Sequence, residues 1–166
     1  MTFKHYPEER LRISSIYSRL TPEENAFRET MLARIIERAR PYSPGEPLDG
    51  FAADQSRRLT GQLAAKGTVV TDDAGQVVFA YPVSALPTTH CVTLADGRMF
   101  HAMCAIDALG SAFTFRQDIR IDACCAECGT PVHMEINGGG IGRASSPDIH
   151  VLHVDLQNEQ NWAGSS

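Results

Sequence analysis

HCVTLADGRMFHAMCAIDALG, residues 90–110, changes its hydrophobic rhythm partway along. Its first part alternates and reads as two strands around an Ala95-Asp96-Gly97 turn. Strand RMFHAM then gives way to CAIDALG, a short helix closed by Gly110. A strand feeding directly into a helix sets Cys104 near a helix N-terminus, where unpaired amides favour a thiolate. Asp107 follows three residues on and projects from the same face. With Ala105, Ile106, Ala108 and Leu109 keeping water away, its carboxyl is expected to titrate high, as a proton donor must. The plainer reading of Asp107 is an acidic residue interacting with the first-turn amides of its helix.

Working outward, residues 22–39 carry a helical stripe of Phe27, Met31, Ile35 and Ile36. Thr21, Pro22 and Glu24 form a capping-box start. PYSPGEPLDG breaks the pattern with three prolines and two glycines. FAADQSRRLTGQLAAKG is a second helix, ending at Lys66 and Gly67. TVVTDDAGQVVFAYPV is a hairpin around DDAG. Helix, turn, helix, hairpin is the plan of a winged helix. The fold expected is therefore α+β: a winged-helix-like helical lobe over residues 1–83, packed on a small mixed β-sheet core over 84–166, the two forming one compact unit. Downstream, 118–126 and 130–136 read as strands separated by ECG. GGGIGRASSPD reads as a flexible loop and IHVLHVDL as a last strand. NGGGIG lacks the spacing of a phosphate cradle.

The net charge of −5 is uneven. Residues 1–66 hold eleven Lys/Arg and nine Asp/Glu, whereas 67–166 hold four Arg and eleven acids. The acidic half also holds all five cysteines, and such a surface does not track a phosphate backbone. Arg57, Arg58 and Lys66 on the second helix are what a DNA reader would carry, but without aromatic interleaving they read better as solvated charges, and DNA is not an expected partner. No apolar run approaches a membrane span, and MTFKHYPEER lacks the apolar centre of a signal peptide. The expected setting is cytoplasmic, where cysteines serve metal or thiol chemistry rather than disulfides. Cys91, in a strand-like run, reads as a small core residue.

FAYPVSALPTTHCVTLADGRMFHAMCAIDALG, followed by RIDACCAECGTPV, resembles the organomercurial (alkylmercury) lyase family. The likeness runs roughly over residues 20 to 136 and is specific around Cys104 and 120–132. It implies cleavage of a carbon–mercury bond by two cysteines and an aspartate. Mercury is soft, so thiolates are its best protein ligands; two of them push electron density toward carbon, and a carboxylic acid then protonates it. Cys104 matches the first catalytic cysteine and Asp107 the catalytic aspartate, while Cys125 matches a cysteine regarded as structural. The family's second catalytic cysteine precedes a His-Val pair; here Ile149 stands in that place, and no cysteine follows Cys128. The resemblance thus implies a divergent or shortened member. Cys128, with more freedom beyond its strand, and then Cys124 are the candidate replacement thiols. The implied partners are an organomercurial small molecule, low-molecular-weight thiols and a mercuric reductase.

Two other readings stay open. A non-enzymatic soft-metal binder would hold Hg(II), Cu(I) or Zn(II) through Cys104, Cys125 and Cys128. A metal-responsive DNA-binding regulator would use the N-terminal lobe. No cofactor is expected. A structural zinc, the one exception weighed, would need Cys125-x-x-Cys128 joined by His101-x-x-Cys104.

Overall fold

The computed structural model describes residues 16–151. Helices α1 (Ile16–Arg19), α2 (Pro22–Arg38) and α3 (Ala53–Ala65) precede strands β1 (Val69–Thr71), β2 (Val77–Ala80), β3 (Val83–Ser84), β4 (His90–Leu94) and β5 (Met99–Ala102). Helix α4 (Ala105–Phe115) and strands β6 (Ile119–Cys124), β7 (Pro131–Asn137) and β8 (Gly140–Ala144) follow.

Helix α2 starts as its sequence demands. Thr21 Oγ1 accepts from the Glu24 amide at 3.2 Å, and Glu24 Oε2 accepts from the Thr21 amide at 2.7 Å. Glu24 also receives the Lys66 ammonium at 2.6 Å, so this cap ties the start of α2 to the end of α3. Phe27, Met31, Ile35 and Ile36 are buried, as the stripe requires. The β1–β2 hairpin forms around Asp72–Gln76, with the Gly75 amide donating to the Asp72 carbonyl at 2.9 Å.

The strands make one sheet in the order β1-β2-β3-β5-β4-β6-β7-β8. Every pairing is antiparallel, so the expected mixed sheet is corrected. The reason lies in β5–α4–β6. This unit is a crossover whose two strands run the same way yet never pair, because β4 lies antiparallel between them. Ala80, Val83, Ala102, Val92, Phe100 and Ile121 line the sheet face that meets the core shared with α2, α3 and α4. Their neighbours in sequence, including Cys91, His101 and Asp122, occupy the opposite face by strand alternation.

Three further expectations change. Gly110 does not end its helix: α4 runs on to Phe115 and stops at Arg116, whose φ of 52° is left-handed. The loop expected over 138–148 contains strand β8, because Gly138 (φ 57°) and Gly139 (φ 79°) turn the chain tightly back onto β7. The last strand, expected from residue 149, is not begun at 149–151, and its remainder lies outside the described residues.

Candidate active site

Strand β5 ends at Ala102, and two residues later Cys104 sits in the N-cap position of α4 with extended backbone (φ −145°, ψ 177°). Asp107 lies in the first turn and is only 4% exposed. The Cys104 thiol donates to Asp107 Oδ2 at 3.1 Å. The expected thiolate is therefore not the resting form. Burial, and then the charge of Asp107, push the Cys104 thiol up to about 11, and the opposing pull of the Asp107 and Ile106 amides does not offset them. A helix start favours anionic sulfur only while the sulfur remains wet and free of a neighbouring anion.

Two residues that sequence reasoning missed complete the surroundings. Tyr81, between β2 and β3, lies against α4 so closely that a Cβ on Gly110 would overlap its hydroxyl. Burial, then the Asp107 charge, raises the Tyr81 phenol, while Arg28 acts in the opposite direction. Arg28 comes from α2, one residue off the apolar stripe, and is 4% exposed. Its guanidinium donates to the Tyr81 carbonyl at 2.7 Å and sits 5.9 Å from the Tyr81 ring centre. Its Nε has no hydrogen-bond partner among the described residues. The only signal for Arg28 was a charge flanking a helix stripe, which usually means a solvated residue. Gly110 inside α4 carried a signal too, because an interior helical glycine often marks a close approach.

The other cysteines lie at the same end of the sheet. Strands β5 and β6 flank β4 antiparallel, so both leave the sheet at the start of β4, roughly 10 Å apart at two strand spacings. There β5 leads to Cys104, and β6 leads to Cys124, Cys125 and Cys128. Cys125 holds a tight turn, its carbonyl accepting from the Gly129 amide and its amide donating to the Thr130 carbonyl, both at 2.9 Å. Cys124 and Cys128 are exposed, and Cys125 is half-buried. The Cys128 sulfur lies 3.1 Å from Thr130 Oγ1, and hydrogen bonding from Thr130, then from Cys125, lowers its thiol. His90, between the two exits, is biased toward the neutral ring by burial.

Among the described residues, no group of three or more His, Cys, Asp and Glu side chains is gathered to hold a metal. The sets Cys104, Cys125, Cys128 and His101, Cys104, Cys125, Cys128 are thus not drawn into one cluster. His101 points to the other sheet face, opposite Cys91, and β4 separates Cys104 from the cysteine turn. Cys91 is half-buried on that second face, across from Asp122, rather than in the core. Two open concavities lie away from Cys104, one over Arg120, Asp122, His133 and Arg143 and one beside Ser43 and Arg57.

A sequence profile described as MerB, alkylmercury lyase, matches residues 83–166, just over half of the chain. No curated protein matches. Among solved structures, the mercury-bound form of MerB2 superposes with a TM-score of 0.52 at 23% identity, covering 77% of this chain and 69% of that one. At that identity the likeness is one of fold. No helix among the described residues is long and apolar enough to cross a membrane.

Proposed function

Because the chain belongs to the alkylmercury lyase family, we propose that it cleaves a carbon–mercury bond, with Cys104 taking the metal and Asp107 protonating the departing carbon. The observation that carries this reading is the 3.1 Å hydrogen bond from the Cys104 thiol to a buried Asp107 carboxylate. A resting thiol beside a carboxylate already holds the proton that the reaction needs.

The steps follow from that contact. A soft metal deprotonates a coordinating thiol outright. As the Cys104 sulfur bonds the mercury of an organomercury thiolate, its proton passes to Asp107. A second thiol then displaces the small thiolate, which leaves with that second thiol's proton. Mercury now carries two protein sulfurs and the organic group. Neutral Asp107 gives its proton to carbon, the hydrocarbon leaves, and the Asp107 carboxylate is regenerated. Burial matters before this last step, since desolvation favours the neutral acid and so keeps the proton on Asp107 until the carbon takes it.

For the second thiol we take Cys128 ahead of Cys124. Cys128 is exposed on a turn at the same sheet end as Cys104, whereas Cys124 belongs to β6 on the face opposite the core. Small thiols and a mercuric reductase are the proposed partners for removing the product. A reduced, cytoplasmic compartment suits five cysteines that are all free.

The winged-helix reading of the N-terminal lobe is supported by the order α2, α3, β1–β2 hairpin. The DNA-binding regulator gains no support from it: Arg57 pairs with Asp54 at 2.6 Å, Arg58 with Glu23 at 2.9 Å and Lys66 with Glu24 at 2.6 Å, so α3 presents no continuous basic face.

The test is methane in the headspace above the full chain, methylmercury and excess small thiol. The parent is expected to release methane, and Cys104→Ser to release none. A folded parent that binds methylmercury without releasing methane overturns the lyase reading in favour of a non-enzymatic soft-metal binder.

A further inference from the structure

We propose that Cys125 and Cys128 form a second, two-thiol site for Hg(II), which takes the ion from Cys104 once the carbon has left. Mercuric ion needs only two soft ligands, so the absence of a three-ligand cluster leaves such a site open. The turn between β6 and β7 holds both cysteines within one short, closed loop. The Gly129 amide closes onto the Cys125 carbonyl and the Cys125 amide onto the Thr130 carbonyl, each at 2.9 Å. Gly129 adopts φ 70°, the left-handed conformation that reverses the chain after Cys128. Within this turn the Cys128 sulfur lies beside Thr130 Oγ1, at 3.1 Å. Three residues of separation closed by backbone hydrogen bonds pre-organise the pair, so little chain entropy is lost on chelation.

Placement supplies the route. Cys125 continues the alternation of β6 beyond Ala123, which packs on the core, so it stands on the sheet face that carries α4 and Cys104. The step is a ligand exchange with no change of oxidation state. Mercury held by Cys104 and Cys128 is attacked first by a small thiol, whose sulfur replaces Cys104 while its proton ends on Cys104. The Cys125 thiol then displaces the small thiolate, which leaves with the Cys125 proton, so the three protein sulfurs need not gather at once. Cys104 returns to the thiol state hydrogen-bonded to Asp107, and the ion waits on an exposed turn where small thiols can reach it.

The exchange rests on the lyase reading, but the binding site does not, and the experiment separates them. Cys104→Ser full chain is loaded with mercuric chloride, desalted against excess 2-mercaptoethanol, and its retained mercury is measured. One tightly held Hg(II) per chain is expected. Cys104→Ser/Cys128→Ser should hold at least 10-fold less under the same competition, and Cys104→Ser/Cys124→Ser should match Cys104→Ser. Because half-buried Cys125 bears on folding, the exposed Cys128 carries the decisive variant, with circular dichroism confirming structure. Retention undiminished by loss of Cys128, equal loss on removing Cys124, or no retention in Cys104→Ser would each overturn the proposal. A failure of methane release leaves this measurement unaffected.

Discussion

Cys104 and Asp107 share one proton across 3.1 Å, the sulfur donating and Oδ2 accepting. After burial, the carboxylate's charge is the largest cause that holds the thiol at about 11. Asp107→Asn removes that charge, so the thiol falls toward its ordinary value. Alkylation by iodoacetamide reads thiolate fraction, which changes tenfold for each unit of pKa. At pH 8 Cys104 of the parent should alkylate slowly, and its rate should climb roughly tenfold per pH unit up to about 11. The Asn variant should alkylate faster at pH 8, keep methylmercury binding and release no methane. An alkylation rate that is unchanged or slower would mean that Asp107 does not act on this sulfur.

Tyr81 and Gly110 form the second constraint on the site. A methyl group at residue 110 would meet the Tyr81 hydroxyl and then its ring. Gly110→Ala normally favours a helix interior, yet here overpacking of about 1–3 kcal/mol should dominate. Tyr81→Phe, which removes the hydroxyl, should recover part of the loss in the double variant. Urea midpoints of the parent, both single variants and the double variant give the coupling directly. Additive effects would disconnect the two residues.

The end of α3 is fixed to the start of α2 by Glu24, whose carboxyl is held below its ordinary value by the Lys66 hydrogen bond first and the Thr21 amide next. A carboxyl with a depressed folded-state value contributes stability above its unfolded value near 4.5, and that contribution fades as pH falls through the folded value. The stability gap between parent and Glu24→Gln should therefore be full at pH 6–7 and shrink below about pH 4.5. Denaturation midpoints across that range test it; a gap that widens on acidification would assign the stability elsewhere.

Local signals carried much of this fold because they act over a few residues. Thr21, Pro22 and Glu24 announced α2, and the DDAG and ADG turns announced two hairpins. The Cys104–Asp107 pair was legible because both residues sit on one helical turn. What the sequence hid is tertiary. Arg28 reaches Tyr81 across 53 positions of chain, and nothing local distinguishes it from a surface arginine. The protonated state of Cys104 was misread because the helix start is visible in sequence while burial is not. Gly110 read as a stop signal because its real reason, the Tyr81 ring, comes from a different segment. The glycines at 138–140 read as a loop, though two of them are a hairpin turn and the third opens β8.

Ile149 occupies the place where the family resemblance puts a second catalytic cysteine, and it is half-buried beyond β8. If Cys128 supplies the missing thiol, Cys128→Ser should lower methane release in the presence of limiting small thiol, because mercury then has only Cys104 and exchangeable ligands. Adding Ile149→Cys to that variant restores a second soft ligand from a different part of the chain. The exchange removes apolar surface at a half-buried position and should cost about 1–2 kcal/mol, which a folded single domain tolerates. Cleavage is expected to rise above Cys128→Ser and to become less dependent on small thiol. Initial methane release at several thiol concentrations, with the far-ultraviolet spectrum as a folding check, measures both. A folded double variant that is no faster than Cys128→Ser would show that residue 149 does not face Cys104.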